Sequence, residues 1–349
     1  MAAGPVPPPN AEASSSKHSI YEASTQYRHW RFSPEDLAQT RTALNAAAVS
    51  VIRDAFEIDE TGSSADVSFL DADEECLLVK LYIGKISQLC DLFRFPEEVE
   101  ATAMTYLKRF YLKNTVMDWH PKNVMLTALF LATKTTNNPI PVDTYTSRIP
   151  KTQPSDVLDL EFLVAQSLGF DFAVWHAHRA LWGMSLDVQA IPETTREEVH
   201  RAYQIALNHV RASRLTDAEL LFTPAQIALA CLSTASPHLA VSWARLKLAD
   251  QADALLSGIE PIKAMVGAHG ALPNLEAVRD VDRRLKLCKN PEKVVGSRAY
   301  LKKQGEAEQK ADEKRRRKAA AVRKAMEEGD PFGSELAGDG GMEDDDDDD

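Results

Sequence analysis

The sequence predicts an all-α protein with two helical units of about 100 residues each, flanked by further helices. Three observations support this fold class. Apolar residues recur at helical spacing over most of the chain. Prolines next to capping or acidic residues mark the starts of helices. No run of residues shows the alternating pattern of a convincing strand, and the 44% hydrophobic content is enough for sizeable cores.

The first long helix is predicted to begin after Ser33. A serine can cap a helix, Pro34 suits the first helical position, and two acids follow in the positive first turn. Residues 1–19 are rich in proline, alanine and serine and are expected to be disordered. The polar segment 57–71 is expected to interrupt the helical pattern.

Residues 73–172 predict a first series of helices. After one helix that begins near Asp73, others are predicted to begin at Pro96, Pro121 and Pro154. The helix that begins at Pro121 is apolar on nearly every side, so we expect it to be central and buried.

Residues 173–268 repeat this pattern. Thr223 and Gln226 form a capping box around Pro224, which marks the clearest helix start of the chain. The predicted helices of this second series are 176–189, 193–212, 224–236 and 250–266.

The C-terminal region differs from the rest of the chain in charge. Residues 301–328 contain ten basic and six acidic side chains and almost no bulky apolar residues, which predicts an exposed helix or a disordered arm. Residues 330–349 contain ten acids and no bases. Most of the net charge of −12 therefore belongs to this tail, and the preceding residues together are near −2.

Several classes of function lack support in the sequence. No apolar stretch reaches the roughly 18 residues of a membrane span, and the N-terminus lacks the features of a secretory signal. The four cysteines form no C-x-x-C pair and fit reduced thiols. His176 and His178, at i and i+2, should point to different faces of a helix, which disfavours a metal site. Without phosphate-binding or catalytic motifs, we expect no enzyme activity, no cofactor and no metal.

Two charged residues lie in otherwise apolar helices. Lys134 ends the helix that begins at Pro121, and Glu161 lies in the helix that begins at Pro154. A charge in apolar surroundings is costly unless it is paired, so each should have a partner or lie at the edge of its helix. The pattern allows an internal Lys–Glu pair or a simple C-cap, and it equally allows a charged spot that contacts another protein.

The segment AMTYLKRFYLKNTVMDWHPKNVMLTALFLATK, residues 103–134, resembles the cyclin box of the cyclin family. KRFYL matches the end of the second box helix, FLATK matches the end of the third, and LEFLVAQSLGFDF matches the fifth helix with its exit. Within that family the chain is more narrowly similar to the cyclin H group, on RHWRFS and on LTDAELLFTPAQIALA. The resemblance covers about residues 20–290.

This resemblance implies two tandem five-helix cyclin boxes with flanking N- and C-terminal helices and disordered ends. The expected segments are a disordered N-terminus (1–19), an N-terminal helix with linker (20–71), the first box (72–172), the second box (173–268), a C-terminal helix (269–290), a basic arm (291–328) and an acidic tail (329–349).

The resemblance also implies a non-catalytic, nuclear regulatory subunit that binds and activates a cyclin-dependent kinase. Cyclins hold the αC helix of the kinase inward, so that its glutamate pairs with the lysine that positions ATP. The cyclin H group implies membership of the CDK-activating kinase, which phosphorylates CDK activation loops and the RNA polymerase II C-terminal repeats. The implied partners are a cyclin-dependent kinase, a RING-finger assembly factor and the TFIIH core, whereas membrane and direct nucleic-acid binding are not expected.

Carried over by position, the resemblance implies a kinase-binding set of five residues. Lys134 matches the box lysine that contacts the αC region of the kinase, and Glu161 matches the glutamate that accompanies it. The other three, at apolar positions that pack on the kinase, are Leu131, Phe170 and Phe172.

The chain departs from the family pattern directly after the box lysine. Family members usually carry an acidic pair there, whereas this chain has Thr135, Thr136, Asn137 and Asn138, so any contact made by those acids is in doubt. Outside the kinase-binding set, the sequence predicts that Phe130 and Phe162 lie in or near the core.

The sequence allows two alternative functions, and it contains one further motif with more than one interpretation. A cyclin C-like subunit of the Mediator kinase module would share KRFYL but not the second-unit signature, and a TFIIB-like nucleic-acid-binding factor would need paired cysteines and a basic core. The basic stretch is a possible nuclear import signal, a phosphate-contacting patch or a solvated helix; its residues are Lys314, Arg315, Arg316, Arg317 and Lys318.

Overall fold

The computed structural model describes residues 20–192 and 194–327, and within these residues it contains seventeen α-helices and no strand. The predicted all-α fold class is therefore confirmed. The chain divides into two compact units, whose described parts are residues 20–49 with 68–288, and residues 50–67 with 289–327. None of the described helices combines the length and apolar character that a bilayer crossing requires. The expected disorder of residues 1–19 and 329–349 lies outside the described residues.

The N-terminal helices are α1 (Thr25–His29) and α2 (Pro34–Asp59). The Asp36 amide donates to the Ser33 hydroxyl at 3.0 Å, so the predicted cap and the helix start at Pro34 are confirmed. The helix continues to Asp59, so the predicted interruption begins a few residues later than expected.

Six helices follow in the first unit: α3 (Ala72–Phe93), α4 (Glu97–Phe110), α5 (Pro121–Thr135), α6 (Val142–Ser147), α7 (Ser155–Leu158) and α8 (Glu161–Ser167). As predicted, α5 is central, since it packs against α3, α4, α7 and α8 and is buried from Val124 to Thr133. The single helix predicted from Pro154 is wrong, because the chain breaks between α7 and α8. The hydroxyl of Thr127 on α5 lies 3.1 Å from the Val157 carbonyl, beside this break.

The second series also belongs to the first unit: α9 (Ala177–Gln189), α10 (Arg196–Ser213), α11 (Ala218–Leu221), α12 (Pro224–Ala235), α13 (Pro237–Leu248), α14 (Ala252–Gly258) and α15 (Glu260–His269). The capping box of Thr223 and Gln226 is confirmed. The sequence did not predict α13. The single helix predicted at 250–266 is two helices, α14 and α15. They are separate because Pro261 has no amide hydrogen to donate to the carbonyl of Ser257.

The last helices are α16 (Leu275–Leu285), which packs on α3, and α17 (Arg298–Glu327) in the second unit. Of the two alternatives for the basic arm, the helix is confirmed over the described residues. Its start is fixed within the second unit, where the Ala299 amide donates to the Asp59 carboxylate at 2.9 Å.

Candidate partner-binding surface

Lys134 and Glu161, the two charges singled out in the sequence, form an ion pair between the end of α5 and the start of α8. The Lys134 ammonium also lies 4.6 Å from the centroid of the Phe130 ring, a cation–π distance. The lysine side chain is 40% exposed and the glutamate side chain 24% exposed. The pair therefore lies at the edge of the buried helices, where a partner can reach the ammonium.

The helix ends favour these two charges. Lys134 occupies the last turn of α5, where the helix dipole favours a cation, and Glu161 is the first residue of α8, where it favours an anion. The local fold therefore stabilises both charges.

Three phenylalanines form an exposed aromatic cluster next to this pair. The ring centroids of Phe162 and Phe170 are 6.3 Å apart, and those of Phe170 and Phe172 are 6.1 Å apart, both in edge-to-face geometry. Phe162 is 70% exposed and Phe170 is 55% exposed. Aromatic surface of this extent on a folded chain is typical of a binding site.

The prediction that Phe162 lies in or near the core is wrong, whereas Phe130 is buried as predicted. In α8 Val164 is buried, and Phe162, two positions earlier, lies on the other side of the helix, one turn before the exposed Gln166. The four-residue spacing from Phe162 to the polar Gln166 is the sequence feature that could have predicted this exposure. Leu131, placed in the kinase-binding set, is only 6% exposed, so little of its surface is available in the free chain.

The loop that carries the cluster has an unusual backbone. Gly169 and Phe170 both have left-handed φ values, of 60° and 58°. A glycine tolerates this conformation, but a phenylalanine is disfavoured there by about 1–2 kcal/mol. The Phe170 amide donates to the Ala165 carbonyl at 3.0 Å, which helps to hold the turn. Such strain tends to occur at functional positions.

Asp171, between two of these phenylalanines, connects the loop to the N-terminal helix. Its carboxylate lies 2.8 Å from Nδ1 of His29 and accepts a 3.0 Å hydrogen bond from Nε1 of Trp30. Arg109 donates to the Asp171 carbonyl at 3.2 Å. The RHWRFS segment therefore supports the loop, a role that the sequence did not predict.

Tyr106 connects the loop to the end of α5. Its hydroxyl donates to the Phe172 carbonyl at 2.7 Å and lies 3.0 Å from the hydroxyl oxygen of Thr135. Burial raises the pKa of this phenol to about 12, so it remains a neutral donor. One side chain thus joins both parts of the exposed surface.

The sequence also did not predict the charges buried between α4 and the end of α10. Arg214 and Arg211 both pair with the Glu97 carboxylate, at 2.7 Å and 2.6 Å. Desolvation by itself would raise the pKa of Glu97, but hydrogen bonds and positive charge from the two arginines outweigh it and lower the pKa to about 2. The Lys108 ammonium, also buried, pairs with Glu219 at 3.0 Å.

His176 and His178 do not point to different faces, which corrects the sequence-based expectation. Their rings stack with centroids 5.2 Å apart, because His176 precedes α9 with extended backbone. Burial, and then the neighbouring His178, lower the pKa of His176 well below its usual value, so it is neutral. The described part of the chain contains no group of three or more side chains placed to hold a metal.

The predicted basic stretch lies on α17 in the second unit. All five of its residues are exposed. Arg315 pairs with Asp312 at 3.7 Å.

Comparison with known proteins gives consistent matches. The family model for the cyclin N-terminal domain matches residues 78–173, and that for the cyclin C-terminal domain matches residues 176–267. A putative cyclin-H from Dictyostelium discoideum is 34% identical over 220 residues, which are 61% of this chain and 74% of the relative.

Two solved structures are also similar. A chain in the CAK complex from Chaetomium thermophilum bound to ATP-gamma-S has a TM-score of 0.73 and 29% identity, over 82% of this chain and 94% of that chain. A chain in the yeast TFIIK (Kin28/Ccl1/Tfb3) complex has a TM-score of 0.60 and 29% identity, over 70% of this chain and 100% of that chain. These matches span both helical series.

Proposed function

Because the chain belongs to the cyclin family, we propose that it acts as the regulatory cyclin subunit of a CDK-activating kinase associated with TFIIH. Support comes from the cyclin-H relative and from the similarity to chains in the CAK and TFIIK complexes. In this proposal the chain itself has no catalytic activity. Its kinase phosphorylates the activation loops of other cyclin-dependent kinases and the RNA polymerase II C-terminal repeats.

We infer that the chain activates its kinase by differential binding. A partner that binds only the active arrangement of the kinase αC helix shifts the population towards that arrangement. The αC glutamate then pairs with the lysine that positions ATP, as phosphoryl transfer requires. The contribution of the chain is therefore binding free energy.

The observation that carries this proposal is the exposed aromatic cluster beside the Lys134–Glu161 pair. We name this the kinase-facing surface; it consists of Lys134, Glu161, Phe162, Phe170 and Phe172. Aromatic anchors with a nearby charge are the usual composition of an energetic hot spot. Leu131, which the resemblance also places in the kinase-binding set, is buried on α5.

The neutral segment after Lys134 alters the electrostatics of this surface. Thr135 lies beside the Tyr106 hydroxyl, and the Asn138 side chain donates to the Thr136 carbonyl at 2.7 Å. These polar groups are used within the chain. We infer that recognition of the kinase depends on Lys134 without the additional acids that family members usually carry.

The remaining assignments extend the same proposal. The similarity to a chain of the Kin28/Ccl1/Tfb3 complex supports a kinase and a RING-finger assembly factor as partners. The TFIIH core is a further proposed partner, and the nucleus is the proposed location. The domain limits inferred from the sequence remain proposals, with the boxes at residues 72–172 and 173–268.

The test of the surface is a double substitution, Lys134→Ala with Glu161→Ala. Because both charges are removed together, neither is left unpaired, and the fold should be retained. We expect kinase affinity to fall about 30-fold, the loss typical of a hot spot. The measurements are the equilibrium affinity for the kinase and the activity of the assembled complex.

The matched control is Lys263→Ala with Glu260→Ala, which removes a Lys–Glu pair of α15 with a 2.8 Å contact. This variant should bind and activate the kinase normally. Full activation by the Lys134 and Glu161 variant would contradict the site. A pulldown of the full chain that recovered no cyclin-dependent kinase would contradict the function itself.

Nuclear import has a separate test. Arg315→Ala, Arg316→Ala and Arg317→Ala, combined in a fluorescent fusion, should reduce nuclear accumulation if the basic stretch is an import signal. Unchanged nuclear accumulation would contradict the import signal. It would not bear on the assignment of the kinase-facing surface.

A further inference from the structure

Helix α17 carries a strong excess of positive charge. Eleven basic and five acidic side chains give it a net charge of +6. From Lys310 to Lys324 every side chain is exposed. The excess is therefore presented to solvent along more than four turns of helix.

Part of this charge forms a continuous stripe on one face. Lys310, Lys314, Arg317 and Lys318 follow the spacing i, i+4, i+7 and i+8, which places them on the same side of a helix. We name these four residues the basic stripe. Like charges at i and i+4 repel one another, so the stripe gains stability from an anion laid along it.

The basic stripe lacks acidic partners among the described residues. The nearest acids in sequence are Glu308, Asp312 and Glu313. Asp312 pairs with Arg315, which lies off the stripe, and Glu308 accepts a hydrogen bond from Gln304 at 3.3 Å. None of the four stripe residues forms an ion pair within the described part of the chain. Its charge is thus available for an external anion or for another part of the same chain.

We propose that the basic stripe binds the acidic end of the same chain, residues 343–349. This segment is Glu343 followed by six consecutive aspartates, the densest negative charge in the sequence. A line of four cations and a run of seven anions are complementary in charge. The contact is electrostatic and has no fixed register.

The length of chain between them permits the contact. Fifteen residues lie between Glu327, the end of α17, and Glu343, and an extended chain spans at most about 3.3 Å per residue, or about 50 Å. Lys310 lies 17 residues before the helix end, about 26 Å back at 1.5 Å per residue. The acidic end can therefore reach every residue of the stripe.

Tethering favours the acidic end over a separate polyanion. Attachment to the same chain gives the acidic end an effective concentration of about millimolar order at the stripe, so even a weak electrostatic contact is populated. A polyanion, or a second copy of the chain, has to compete with this local concentration. The basic stripe is consequently masked until a stronger anion displaces the acidic end.

The first test cross-links carboxylates to amines with a carbodiimide in the full chain at low protein concentration. We expect peptides 343–349 to be joined to Lys310, Lys314 or Lys318 within the monomer, and not to the exposed Lys151 of the other unit. Cross-links found only in dimers would identify a second copy as the occupant and overturn the proposal. Equal cross-linking to Lys151 would overturn it as well.

The second test changes charge at constant length. Glu343→Gln combined with Asp→Asn at 344–349 should raise acetylation of Lys310, Lys314 and Lys318 about two- to threefold and strengthen heparin binding about tenfold. Both differences should disappear in 1 M salt, where the Debye length falls to about 3 Å. Acetylation and heparin binding that do not change in the variant would overturn the proposal.

A pair of helix variants shows whether the stripe itself is the binding site. Lys314→Gln with Arg317→Gln removes two charges of the stripe but leaves the amines of Lys310 and Lys318 reactive, and it should reduce the cross-links at both. Arg315→Gln with Arg316→Gln removes the same number of charges off the stripe and should preserve them. Equal loss in both variants would show a general effect of net charge and would overturn the assignment to the stripe.

Discussion

Helix α5 of the first series and helix α12 of the second have the same structural role but different ends. Each begins with a proline, at Pro121 and Pro224, and each is buried at the centre of its series. Thirteen residues after the first proline, α5 has Lys134, whereas the second series has Pro237, which begins α13. The end of α5 is therefore an exposed charged edge, and the end of α12 leads directly into another helix.

This difference indicates where the two series present different surfaces. The buried helices supply the same kind of hydrophobic core in both, since burial of apolar surface does not depend on the residues that come after the helix. The exposed end of α5 and the loop around Phe170 have no such constraint and present charge and aromatic surface. We conclude that the proposed binding properties come from helix ends and loops and not from the core.

The largest expected effect concerns the buried charges that α4 shares with the end of α10. Arg214 and Arg211 contact the same carboxylate, that of Glu97, but their side chains are 6% and 49% exposed. Arg214→Met should cost about 3 kcal/mol in the free energy of unfolding, because it removes the buried partner of Glu97 and leaves this carboxylate only the half-exposed Arg211. Arg211→Met should cost about 0–1 kcal/mol, as exposed pairs do. Equal losses in urea denaturation would contradict the difference in burial.

The next effect is the pH dependence of the same contact. The pKa of Glu97 is lowered from 4.5 to about 2, so its contribution to stability is complete above pH 4.5 and is lost as pH falls through 2. Glu97→Gln should therefore flatten this part of the curve of unfolding free energy against pH. The measurement is urea denaturation between pH 2 and pH 6, and an unchanged slope in the variant would contradict the assignment.

A smaller effect, on kinase affinity, is expected at Asp171 in the loop that carries Phe170 and Phe172. Asp171→Asn keeps the shape and the acceptor for Trp30 but removes the charge that faces His29, so we expect the kinase affinity to fall about fivefold, equivalent to about 1 kcal/mol. A double-mutant cycle with His29→Ala measures the coupling. Independent, additive losses would show that the N-terminal helix does not position this loop.

The smallest effect on stability, and the most specific one, is expected at Phe170. Phe170→Gly removes the left-handed strain, which is worth about 1 kcal/mol, but also removes the aromatic side chain. We expect unchanged or slightly higher resistance to urea together with weaker kinase binding. Phe170→Ala keeps the strain and serves as the control, so equal stability of the two variants would contradict the stored strain.

Features determined by nearby residues could be predicted from the sequence. The start of α5 at Pro121 and the capping box at Thr223 depend on residues within one turn, and both were predicted. The unusual charges of Lys134 and Glu161 also stood out, because charges in apolar helices need a partner. Local pattern was sufficient in each case.

Features that depend on distant residues were not predictable in the same way. The break between α7 and α8 lies against α5, where the hydroxyl of Thr127 is 3.1 Å from the Val157 carbonyl. The contact of His29 with Asp171 joins residues 142 positions apart. The helix α13 was missed because Ser236 and Pro237 are equally typical of the end of a helical region. In these cases tertiary contacts decide between alternatives that local propensity leaves open.

The contacts of Tyr106 affect how the kinase-facing surface can change during evolution. Its hydroxyl binds the Phe172 carbonyl and lies beside Thr135, so the charged edge and the aromatic loop share one anchor. A substitution that removed the hydroxyl at position 135 would disturb the loop as well as the edge. We therefore expect a substitution in one half of the surface to change the geometry of the other half as well.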